Sequence, residues 1–117
     1  MRIIKTLTIK NSEPIIDSSE FIRIYFEKLI SGQHITTVLP AEVIGEVLGT
    51  LKEPYLSSGQ IIYQDSSMID GELIWVADFD TIESYNLYKN DLANLFSSDF
   101  STSFDTSEVA LTVVEEP

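Results

Sequence analysis

The sequence predicts an α+β protein: a ferredoxin-like split βαβ sandwich, a four-stranded antiparallel sheet with two to three helices on one face. Three observations predict it. Residues 1–10 alternate in polarity, which marks a half-buried strand. Residues 59–79 hold two apolar runs joined through Asp70-Gly71, the signal of a hairpin. Helical periodicity precedes this hairpin and follows it, and a last apolar run closes the chain. The order is β-α-(α)-β-β-α-β, the split βαβ plan. The 117 residues suit a single domain, 1–117.

In the first strand Ile3, Leu7 and Ile9 point one way, and Arg2, Thr6, Thr8 and Lys10 the other. Lys5 breaks the pattern on the apolar face and Ile4 on the polar one. After the turn at Asn11-Ser-Glu-Pro, Asp17 and Glu20 have capping-box spacing, with Ile16 and Phe21 placed for a hydrophobic staple. Ile22, Tyr25, Phe26 and Leu29 give that helix one buried stripe, and Gly32 is its expected stop. Residues 33–39 read as a short strand or an extended connection. Pro40 suits the first position of a second helix, whose stripe is Val43, Ile44, Val47, Leu48 and Leu51 and whose end is expected at Pro54. Gly45 and Gly49 weaken this helix by about 1 kcal/mol each relative to alanine, but allow close approach.

The second strand is expected at 59–64, a hairpin connection at 65–71, and the third strand at 72–79. The third strand is apolar at consecutive positions, so both its faces are expected to be covered. Asp80 and Glu83 repeat the capping-box spacing before a helix over 81–96. Its stripe is Ile82, Tyr85, Tyr88 or Lys89, Leu92, and Leu95 or Phe96. Residues 97–107 form a polar loop containing Phe100 and Phe104, and 108–115 the last strand. Right-handed crossovers put the first and third strands in the middle of the sheet. The face away from the helices then shows Ile4, Ile62, Ile74 or Trp75, Ala110, Thr112 and Val114. A monomer rarely exposes so large an apolar patch, and the simplest cover is the same face of a second copy. The expected partner is therefore the chain itself, as a homodimer through the open sheet face.

Pro54-Tyr-Leu-Ser-Ser-Gly-Gln-Ile-Ile-Tyr, the hairpin, Trp75-Val-Ala-Asp-Phe-Asp and Ile82-Glu-Ser-Tyr-Asn-Leu-Tyr resemble the dimeric α/β-barrel superfamily. That superfamily includes the antibiotic-biosynthesis-monooxygenase-like proteins. The resemblance covers the middle third of the chain. It implies a dimeric barrel, and a range of activities: cofactor-independent oxygenases of quinol-like aromatics, haem-degrading enzymes, isomerases and proteins without known activity. A haem-degrading site would need a histidine on the helix after the third strand, and this chain has none there.

Nineteen acidic residues against seven basic give a net charge of −12. Affinity for nucleic acid comes largely from Lys and Arg on phosphates, so no nucleic-acid partner is expected, nor an anionic membrane surface. The absence of cysteine excludes disulfides and thiolate chemistry. No apolar run approaches a membrane span, and the start lacks the pattern of a signal peptide, so a cytoplasmic location is expected. Residues 65–72 miss the spacing of a calcium loop, and one histidine without cysteine gives little for a transition metal. No metal or tightly held cofactor is expected.

The candidate ligand-binding residues are Lys5, His34, Tyr63 and Trp75. Lys5 reads as a pocket lysine whose charge burial disfavours, or as one that snorkels or pairs with a carboxylate. His34 reads as a base or ligand near a cavity mouth, or as a loop histidine. Trp75, with Tyr63, Tyr25 and Tyr85, reads as a pocket wall for a flat aromatic molecule, or as core or dimer interface. Two function classes follow. The preferred one is a non-enzymatic accessory or interaction protein, because no acid, base or nucleophile comes with a partner. The other is a binder or cofactor-independent enzyme of a small aromatic molecule. A cavity between sheet and helices with convergent polar groups would discriminate between them.

Overall fold

The computed structural model describes residues 1–31, 41–96 and 108–117. The elements run β1 (Arg2–Ile9), α1 (Ser18–Ser31), α2 (Ala41–Ser57), β2 (Ile61–Ile69), β3 (Glu72–Phe79), α3 (Ile82–Phe96) and β4 (Val109–Glu116). The sheet is antiparallel throughout, in the order β2-β3-β1-β4. β1 and β3 are therefore central, and the fold is the expected ferredoxin-like α+β sandwich with three helices. The alternation of β1 and β3 decides what faces the helices. Ile3, Ile9, Leu73, Trp75, Ala77 and Phe79 are buried there, with Phe21, Tyr25, Phe26 and Leu29 of α1 and Tyr85, Tyr88 and Leu92 of α3. The opposite face carries Ile4, Ile74 and Val76 half-buried and Val114 exposed.

Local chemistry sets the element ends. The Asp17 carboxylate accepts from the Glu20 amide at 3.0 Å, so the α1 cap forms as expected. The staple does not: Ile16 is 90% exposed, and Ile15, one residue earlier, packs against the core instead. At α3 the cap is Thr81 rather than Asp80. The Thr81 hydroxyl accepts from the Ser84 amide at 3.1 Å, while the Asp80 amide donates to the Gln60 carbonyl at 2.9 Å.

Pro54 does not end α2, which continues to Ser57. A proline removes one intrahelical donor, and here the carbonyl it deprives belongs to Thr50 on the exposed side of the helix. The extra turn is held by Tyr55. Its ring is buried and meets Tyr88 edge-on at 5.5 Å, and its hydroxyl donates to the Asp91 carboxylate. β2 is longer than expected, because residues 65–69 pair with β3 instead of forming a loop. The connection is only Asp70-Gly71, with φ of 52° and 78°. Both residues are left-handed, as the tightest hairpin turn requires.

Candidate functional site

A cavity of about 180 Å³ lies between the sheet and the helices. Its floor is Lys5 and Leu7 of β1, Leu73 and Trp75 of β3, Ser66 of β2 and Leu111 of β4. Its walls come from α1, α2 and α3, including Tyr25, Leu48, Lys52 and Tyr88. It reaches the surface at Gly49 and Ser66, both exposed. The space arises from side-chain size. Gly45 and Gly49 sit four apart on the inner side of α2, and a Cβ built on Gly49 would meet nothing within 4 Å.

Lys5 stands opposite Trp75 in the β1–β3 register, so the strand pairing itself delivers the amine to the indole. The Lys5 Nζ lies 5.3 Å from the ring centroids of both Trp75 and Tyr88. The Lys52 Nζ, arriving from α2, lies 5.4 Å from the Trp75 ring. Two ammonium groups thus share one indole. Among the described residues neither has a carboxylate within ion-pair distance. The indole N–H is satisfied by the Gln64 side-chain oxygen at 3.1 Å. Burial, then the neighbouring charges of Lys52 and Lys89, lower Lys5 to about 8, and burial lowers Lys52 as well. The phenols move the opposite way. Burial pushes Tyr88 and Tyr25 above the tyrosine range, and Tyr55 up to about 12. At neutral pH the reactive or charge-bearing groups of the cavity are therefore its two amines.

Of the four residues expected at a site, Lys5 and Trp75 meet in this cavity. Trp75 is buried on the helix side, so Ile74 is the residue on the open face. Tyr63 does not join them. A β-bulge between Ile61 and Tyr63 makes Ile61 pair with Phe79 and Tyr63 with Asp78, leaving Ile62 as the extra residue. Without it Tyr63 would share the face of Trp75. With it Tyr63 stands on the open face, 48% exposed, and Gln64 and Ser66 take the inner positions. His34, and the loop with Phe100 and Phe104, lie outside the described residues. Of the two other aromatics expected beside Trp75, Tyr25 lines the cavity, while the Tyr85 hydroxyl donates to Glu115 at 2.9 Å.

Lys52 and Tyr88 are site residues that sequence reasoning passed over. Lys52 had a signal: it lies three residues beyond Gly49 and four beyond Leu48, on the inner stripe of α2. A second cleft, between α1 and α2, adjoins the cavity through Ile22 and Gly45 and is rimmed by Asp17, Glu20, Glu42, Glu46 and Arg23. Among the described residues no helix is long and apolar enough to cross a membrane, and no three His, Cys, Asp or Glu side chains gather as a metal would need. Comparison with models of protein families, with curated proteins and with solved structures finds no match to this chain.

Proposed function

We propose that the protein is a binding module for a small amphipathic anion, such as an aromatic carboxylate or enolate, and that it works without catalysing a reaction. One observation carries this reading: two lysine ammonium groups without carboxylate partners among the described residues, set over an aromatic wall in an otherwise apolar cavity. Ligand sites are mostly apolar with a few placed polar groups, and this cavity has that composition. Two cations in one cavity that no described carboxylate neutralises favour an incoming anion as their counter-charge. The net charge of −12 opposes this at long range, but salt at physiological strength screens it beyond about 8 Å. Cavities of about 150 Å³ hold benzene, so this one suits a single ring with a short charged arm. The resemblance to the dimeric α/β barrels fits this reading. In it two copies meet through their open sheet faces, leaving each cavity on the helix side.

Tryptophan fluorescence tests the proposal, because Trp75 is the only tryptophan and forms a cavity wall. Benzoate is expected to quench it saturably, and benzyl alcohol, its uncharged analogue, far more weakly. Lys5→Met and Lys52→Met should each weaken benzoate by roughly tenfold or more, the usual loss for a hydrogen bond to a charged group. Gly49→Leu, which fills the cavity from α2, should abolish the quenching. Equal responses to benzoate and benzyl alcohol, or none to either, would remove the anion-binding reading.

A further inference from the structure

We propose that Lys5 is also an amine nucleophile, forming an imine with a small apolar aldehyde or ketone admitted to this cavity, with Lys52 as the acid that releases the carbonyl oxygen as water. The inference rests on the binding reading, since the carbonyl compound must enter the same space. It replaces a purely passive cavity with one that captures a ligand covalently.

The geometry supplies what the step needs. The amine is fixed by strand pairing rather than held on a loop, and points into an apolar space beside Trp75 and Tyr88. Lysine amines become nucleophiles when desolvated or set beside another cation, and Lys5 meets both conditions. A second amine, Lys52, lines the same cavity from the facing helix. The groups facing Lys5 are Lys52 from α2, Tyr88 and Lys89 from α3, Tyr25 from α1 and Ser66 from β2. Glu115 of β4 is engaged by the Tyr85 hydroxyl and by Lys89 at 3.8 Å. The lowering of Lys5 to about 8 leaves a useful fraction of neutral amine at physiological pH.

The chemistry balances without an outside reagent. The Lys5 nitrogen lone pair forms the C–N bond as the carbonyl π bond breaks, and one amine proton passes to the oxygen to give a carbinolamine. The Lys52 ammonium then protonates the hydroxyl, directly or through a water, and the C–O bond breaks as water leaves. The products are an iminium on Lys5, neutral Lys52 and one water. No electron is gained or lost.

The test is reductive trapping of the whole protein with benzaldehyde and cyanoborohydride at pH 7.5, read by intact mass and peptide mapping. The expected result is one benzyl group per chain, on Lys5, formed at least about tenfold faster than on Lys10 or Lys28, which do not line the cavity. Benzoate should protect Lys5. Lys5→Arg should lose this adduct, and Lys52→Met should slow it. Benzylation spread evenly over the lysines and the N-terminus, unaffected by benzoate, overturns the imine. If benzoate still quenches Trp75 in that case, anion binding stands alone; if neither is seen, both readings fall.

Discussion

At the scale of one residue, Lys5 sets a charged amine against burial. Period two places it on the inner face of β1 between Ile3 and Leu7, where its charge costs folding free energy. The cation–π contacts to Trp75 and Tyr88 offset only part of that cost. Lys5→Met is therefore expected to raise stability at pH 7 by about 1–2 kcal/mol, read as a higher denaturation midpoint with an unchanged slope. The pH dependence follows from the direction of the shift. The amine loses its proton near pH 8 when folded but only near 10.5 when unfolded. Between these values the unfolded chain holds the extra proton, so this group makes stability rise with pH. The advantage of Lys5→Met should accordingly shrink from pH 7.5 to pH 10. Above that, the raised phenols of Tyr25, Tyr85 and Tyr88 act the other way and stability falls. Affinity for benzoate should decline as pH rises through about 8, because the neutral amine no longer attracts an anion. An advantage for Lys5→Met that stays constant across this range would mean that its charge is not what costs stability.

At the scale of one element, caps and turns explain which parts of the fold were legible and which were not. Asp17→Ala should cost about 0.5–2 kcal/mol, since its carboxylate holds the Glu20 amide, and Thr81→Ala should cost about as much at α3. Asp80→Ala should be close to neutral, because Asp80 contributes a backbone hydrogen bond that alanine keeps. A larger loss for Asp80→Ala than for Thr81→Ala would place the cap where spacing alone puts it. Spacing points to Asp80 with Glu83, and the tie of the Asp80 amide to the Gln60 carbonyl leaves the cap to the next residue, Thr81. The same limit applies to β2. Ile61, Ile62 and Tyr63 are apolar or aromatic in a row, so no change of pattern there announces the bulge that turns Tyr63 outward. By contrast β1 and the helix stripes were legible, because each rests on many positions with one period, and Lys5 was placed on the inner face by that period. β3 is apolar at consecutive positions, so its sequence left Ile74 and Trp75 equivalent, and the pairing of Trp75 with Lys5 decides between them. In α2, Gly49→Ala should stabilise by about 0.5–1 kcal/mol, as the new methyl gains helix propensity and meets open space.

At the scale of the whole molecule, the sheet has one face spent on a core and a cavity and one face that no described helix covers. Ile4, Ile74, Val76 and Val114 form its apolar middle. Polar groups frame them: Arg2 grips Asp78 through two hydrogen bonds at 2.8 and 2.9 Å, and the Thr8 hydroxyl donates to Glu72 at 2.8 Å. An apolar middle with a polar rim is how protein interfaces are built. A two-fold dimer would bring identical faces together, and with them two chains of −12 each. Association should therefore tighten modestly as added salt screens that repulsion, the reverse of what an interface held by ion pairs would do. Sedimentation in dilute buffer should give about twice the mass of one chain. Val76→Lys should give the mass of one chain with the fold intact by circular dichroism, since position 76 pairs with Asp65 and a lone chain can solvate the new ammonium. A parent protein that stays monomeric at micromolar concentration in high salt would reject the dimer. The benzoate and benzaldehyde experiments would keep their meaning, because the cavity is lined from the helix side of a single chain.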